Sequence, residues 1–104
     1  MQFVVIAEHA PEMCPTSNKA IRKMMKEGAK KIPAAAKKLG IEIVTLNVYG
    51  PDHQVLAIIE SPDIEKVREF VMESRLVQWN TTKIHGTWTL EEALAKADKL
   101  PTIF

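Results

Sequence analysis

The feature that most limits what this chain can become is a pair of apolar runs set three residues apart. Ile41 to Tyr49 alternates apolar and polar residues, Gln54 to Glu60 is rich in Val, Leu and Ile, and only Gly50-Pro51-Asp52 lies between them. Parallel neighbours need a crossover of a dozen or more residues, so these strands form an antiparallel hairpin about a tight turn. A long helical pattern precedes them. Apolar residues recur at Ile21, Met24, Met25, Ala29, Ile32, Ala36 and Leu39, with Thr16-Ser17-Asn18 as caps and Gly40 as the stop. That spacing predicts one helix of about six turns. Pro33 within it is expected to kink the helix or begin a second segment.

The remaining elements follow from the same signals. Gln2 to Glu8 is a β-branched run closed by His9 and Ala10-Pro11, a first strand. Ser61-Pro62-Asp63 reads as an N-cap, a proline at the first helical position and an early acid, opening a helix whose stripe is Ile64, Val67, Phe70 and Val71 and whose end falls near Leu76. Thr81 to Trp88 makes a fourth strand, and Thr89-Leu90-Glu91-Glu92 is a capping box for a short last helix. The order β-α-β-β-α-β, with right-handed crossovers, gives an antiparallel sheet of order 4-1-3-2 with both long helices on one face, an α+β ferredoxin-like fold. Residues 1–104 are expected to form a single domain. A domain this small buries roughly 60 to 70% of its unfolded surface, so association with a second copy is a natural way to bury more.

Side-chain alternation assigns the two faces. A three-residue loop pairs Tyr49 with His53, Asn47 with Val55, Thr45 with Ala57 and Ile43 with Ile59. Val44, Leu46, Val48, Leu56 and Ile58 then turn to the helices, with Val4 and Ile6 in the core and Ile84 inward. Phe3, Val5, Ala7 and His9 fall on the open face, with Lys83, His85 and Thr87 outward. An open face holding Phe3, Val5, Val55 and Ile59 needs a cover, and a two-fold homodimer is the economical one.

This combination of split βαβ order, half-apolar open face and extra C-terminal segment resembles the dimeric α/β-barrel superfamily over essentially the whole chain. The stretches from His9 to Pro15 and from Ser74 to Asn80 are similar to signatures of an uncharacterised branch. The superfamily includes small monooxygenases, haem-degrading enzymes and isomerases, and the resemblance implies a homodimer with a pocket beside the sheet. Met13-Cys14-Pro-Thr-Ser17 also resembles the loop of heavy-metal-associated domains, but Ser17 stands where their second cysteine belongs, so a two-thiolate site is absent.

Chain direction brings the reactive side chains to one edge. The end of strand one, the Cys14 loop and the hairpin turn share it, which gathers His9, Cys14 and His53, donors suited to zinc, copper or iron. Cys14 also precedes a helix start, where a thiol pKa falls. Tyr49 lies at the same turn, and the second helix delivers Arg75, Trp79 and Asn80, residues able to hold a carboxylate or a flat ring. His85 is a candidate general base for metal-free chemistry. Three functions fit: a homodimer binding a transition metal or small ligand, a cofactor-free isomerase or monooxygenase, and a non-catalytic stress or regulatory dimer.

Composition narrows the partners. Fourteen Lys+Arg against thirteen Asp+Glu give a net charge of +1, a poor fit to a non-specific polyanion binder. The first helix concentrates Lys19, Arg22, Lys23, Lys26, Lys30, Lys31, Lys37 and Lys38 against Glu27 alone, but strand three carries no aromatic on which a base could stack. A solvated helix face is the expectation, with no nucleic-acid partner. A single cysteine excludes an intrachain disulfide. No leader-like segment or membrane-length apolar run is read from the sequence, so a cytoplasmic setting is expected.

Overall fold

The computed structural model describes residues 1–49 and 51–104. Its elements are β1 (Gln2–Glu8), a 3-10 turn (Pro11–Met13), α1 (Lys19–Leu39), β2 (Glu42–Tyr49), β3 (Gln54–Glu60), α2 (Ile64–Glu73), α3 (Leu76–Trp79), β4 (Thr81–Gly86) and α4 (Leu90–Ala97). The sheet is antiparallel in the order β2-β3-β1-β4, the order expected from the chain. Among the described residues no helix is long and apolar enough to cross a membrane.

Local chemistry sets the helix ends. The Asn18 side chain accepts from the Ile21 N–H to open α1, and Gly40, in a left-handed conformation, closes it. Pro33 sits inside α1 without ending it, so no second segment begins there. The cap of α2 is Asp63, accepting from the Lys66 N–H, and not Ser61. Ser61 instead uses its hydroxyl on the Asp63 backbone. The α2 stripe also stops earlier than Leu76. Arg75 adopts a left-handed backbone, φ 63°, which breaks the helix and starts α3 in a new direction. Thr89 caps α4 through the Glu92 N–H.

The faces of β1 and β3 are the reverse of the sequence reading. Phe3, Val5, Ala7, Val55, Ala57 and Ile59 are buried beneath the helices, whereas Val4, Ile6, Leu56 and Ile58 lie half-buried on the open face. The cause is a one-residue slip at the hairpin. Gly50 lies outside the described residues, but His53 is left-handed at φ 54°, so pairing starts at Tyr49 with Gln54 and continues as Val48 with Val55 and Leu46 with Ala57. A slip of one exchanges the two faces of β3, and of β1 paired to it, relative to β2. An irregularity between Ile43 and Thr45 restores Ile43 opposite Ile59 and leaves Val44 exposed. Leu46 and Val48 still face the helix layer, lining a groove with Met25 and Trp79. In β4, Ile84 pairs with Val5 on the helix side, and Lys83 and His85 lie on the open face.

The core has two parts. Phe3, Val5, Ile59, Val67, Phe70 and Val71 pack under α2 with Ala35 and Leu39 of α1, while Ala7, Ile21, Val55 and Trp79 form a second cluster toward the other end of the sheet. Between α1 and the end of α2 the backbones nearly touch. A Cβ on Gly28 would stand 2.1 Å from the Ser74 carbonyl oxygen. By contrast α4 and the tail make few contacts, leaving Leu90, Leu94, Leu100, Ile103 and Phe104 exposed. The radius of gyration, 16.1 Å, exceeds the ~13 Å of a compact 100-residue domain because this arm projects. Trp88, read from the sequence as the end of the fourth strand, lies beyond β4 and is exposed, with the Lys96 ammonium 4.7 Å from its ring centroid.

Candidate metal centre

The second core cluster floors a group of reactive side chains. Because Ala7 faces the helices, the residue two further on does too, and His9 comes to lie against Trp79 with ring centroids 5.1 Å apart. It is therefore on the helix side and not on the open face, as the slipped register required. The His53 carbonyl accepts from the His9 N–H at 3.1 Å, tying the end of β1 to the hairpin turn, and the two imidazole centroids are 5.5 Å apart.

Cys14 reaches the same place from a tightly tied loop. Its carbonyl accepts from the Ser17 and Asn18 N–H groups. The Arg22 guanidinium donates to the Pro15 and Thr16 carbonyls, and the Asn18 amide donates to the Glu12 carbonyl. The thiol is 1% exposed. The donor atoms of His9, Cys14 and His53 all lie within 4.8 Å of one another, and no Asp or Glu joins them among the described residues.

Three further observations characterise this group. His9 Nδ1 is 2.8 Å from the Asn80 side-chain oxygen, and the Asn80 amide nitrogen donates to the Leu76 carbonyl. A carbonyl facing the amide fixes which end of Asn80 is oxygen, so His9 carries its proton on Nδ1 and leaves Nε2 as a lone pair. His9 Nε2 and His53 Nδ1 are buried without a hydrogen-bond partner. An unsatisfied buried polar atom costs about 1 to 3 kcal/mol. Finally, the thiol pKa is lowered to about 6. The Thr16 hydroxyl, 2.9 Å away, is the largest cause, followed by the Thr16 backbone and His9; burial opposes them and His53 adds a little. The two imidazoles act on the thiol although neither free nitrogen forms a hydrogen bond of normal geometry.

The other residues singled out in the sequence are distributed differently. Trp79 and Asn80 join the cluster as floor and orienting group. Arg75 turns away to Glu27 and Gln78, beside a groove between α1 and the α2–α3 segment. Tyr49 is exposed at the end of β2. His85 pairs with Val4 on the open face, toward the opposite end of β1 from His9. Thr16, read from the sequence only as a helix cap, is the member of the site that sequence reasoning misses; a hydroxyl two residues after a cysteine is its only local sign.

No protein-family model matches the chain, and a search of curated proteins finds no match. Among solved structures it is similar to the de novo designed protein Ferredog-Diesel, with a TM-score of 0.57 at 15% identity over 83% of this chain and 85% of that one. A structural-genomics protein from Agrobacterium tumefaciens matches with a TM-score of 0.45 at 15% identity, covering 86% of this chain and 96% of that one. The first likeness concerns the fold alone and fits a ferredoxin-like α+β arrangement.

Proposed function

We propose that this protein binds one transition-metal ion per chain through His9 Nε2, Cys14 Sγ and His53 Nδ1. The observation that carries the reading is the pair of buried, partnerless imidazole nitrogens beside a buried thiol, all within 4.8 Å. Metal–ligand bonds of about 2.0 to 2.3 Å are reached from there by side-chain shifts under about 1 Å. Ligation removes both unsatisfied nitrogens at once. The lowered thiol pKa keeps the sulfur largely anionic near neutral pH, the form that ligates. The Asn80 bond to Nδ1 supports the same reading, since ligating imidazoles are usually held by a hydrogen bond at the other nitrogen.

A homodimer belongs to the same proposal. The half-buried apolar stripe Val4, Ile6, Leu56 and Ile58 and the projecting apolar arm support it, in keeping with the dimeric α/β-barrel resemblance. A single reduced cysteine suits a cytoplasmic setting.

Elemental analysis of untagged protein, reconstituted with zinc, copper or iron and desalted, tests the metal reading. About one equivalent per chain is expected, lost in His9→Ala and Cys14→Ser. Asn80→Leu should weaken retention by about 10- to 100-fold while the fold persists by circular dichroism. Protein that stays metal-free with every ion overturns the reading.

A further inference from the structure

The donor set also decides the charge of the ion, an inference that rests on the metal reading above. The cluster supplies one thiolate and two neutral imidazoles, and among the described residues no carboxylate belongs to it. The acids nearest in sequence, Glu8, Glu12 and Asp52, are all exposed, and Glu8 accepts from Gln54. A divalent ion in this shell leaves one net positive charge, whereas a monovalent ion is neutralised by the thiolate. The surroundings make that difference matter. Cys14 is 1% exposed, both free ring nitrogens are closed to solvent, and Trp79 lies against His9 with Ala7, Ile21 and Val55 packed behind it. An uncompensated charge in such surroundings is disfavoured by the loss of its hydration.

Coordination number points the same way. Zinc takes four ligands, the fourth in an open site being water or substrate. Here three donors converge, no fourth His, Cys, Asp or Glu accompanies them among the described residues, and none of the three ligating atoms faces solvent. The thiolate is a soft donor that suits monovalent copper, and imidazole binds copper as well.

We propose that the cluster takes copper in its monovalent state, in a neutral three-coordinate shell of two nitrogens and one sulfur. The site then holds a copper ion without admitting water to it, a form suited to storing or handing on the ion.

The test is an anaerobic titration of the full chain with Cu(I), against a chromophoric Cu(I) chelator, and with Zn(II), against a chromophoric zinc chelator. X-ray absorption of the copper-loaded wild type reads the shell without needing any variant to fold. The expected result is one Cu(I) per chain, a three-coordinate absorption edge with both nitrogen and sulfur scattering, and less than stoichiometric zinc at micromolar concentrations. His53→Ala should convert the copper to a two-coordinate form. One equivalent of four-coordinate zinc, with copper bound through sulfur only, overturns the monovalent assignment and leaves the metal site standing. Failure of Cu(I) to reach one equivalent overturns the monovalent assignment, and the metal reading falls with it only when zinc and iron fail as well.

Discussion

At the scale of single residues, the thiol of Cys14 is governed by Thr16 more than by either histidine. Thr16→Val should move the thiol of the metal-free chain from about 6 back toward the ordinary range. Thiolate absorbance against pH, with Cys14→Ser as the blank, measures it, and an unmoved midpoint contradicts the assignment. The consequence for stability has a definite sign. The folded thiol ionises more readily than the unfolded one, so the metal-free chain gains stability as pH rises from about 6 toward the ordinary thiol value of 9.0 and loses it as pH falls back through 6. Denaturant midpoints at the two ends of that window should differ in this direction in the wild type and much less in Cys14→Ser. The three donors are legible in the sequence because topology alone takes the end of β1, the loop before α1 and the hairpin turn to one edge. Thr16 and the orienting role of Asn80 are not legible, since each depends on where one hydroxyl or amide points.

At the scale of elements, strand count, order and direction follow from punctuation and periodicity, but the faces do not. Both readings of the hairpin keep Val55, Ala57 and Ile59 together; they differ only in whether His53 belongs to the turn or to β3, and the left-handed backbone of His53 decides it. The burial of alanines in positions 7 and 57 beneath the helices gives no stronger apolar signal than Val4 and Ile6, so patterning alone could not choose. The break between α2 and α3 was hidden for a similar reason: Arg75 is not a residue that advertises a positive φ. The contact of Gly28 with Ser74 just before that break offers a direct test. Gly28→Ala places a methyl carbon against a backbone carbonyl, and although alanine favours helix, the forced shift should cost about 1 to 3 kcal/mol net. Chemical denaturation measures it; a neutral or stabilising result shows that α1 can lift from α2 freely.

At the scale of the whole molecule, one sheet face is covered by helices and the other carries Val4, Ile6, Leu56 and Ile58 half-buried. If a second copy covers that face, light scattering at tens of micromolar gives twice the mass of one chain. Leu56→Glu, which puts a charge in the middle of the stripe, should return it to one chain with the helices intact by circular dichroism. A monomeric wild type removes the dimer from the account. The distribution of the cluster along the chain has a separate consequence. All three donors precede Gln54, whereas Trp79 and Asn80, the floor and the orienting group, come from the last third of the sequence. During synthesis the donors leave the ribosome well before the residues that enclose them. The nascent chain therefore carries its thiol and imidazoles uncovered for an interval before Trp79 and Asn80 close on them, open meanwhile to an ion or an oxidant.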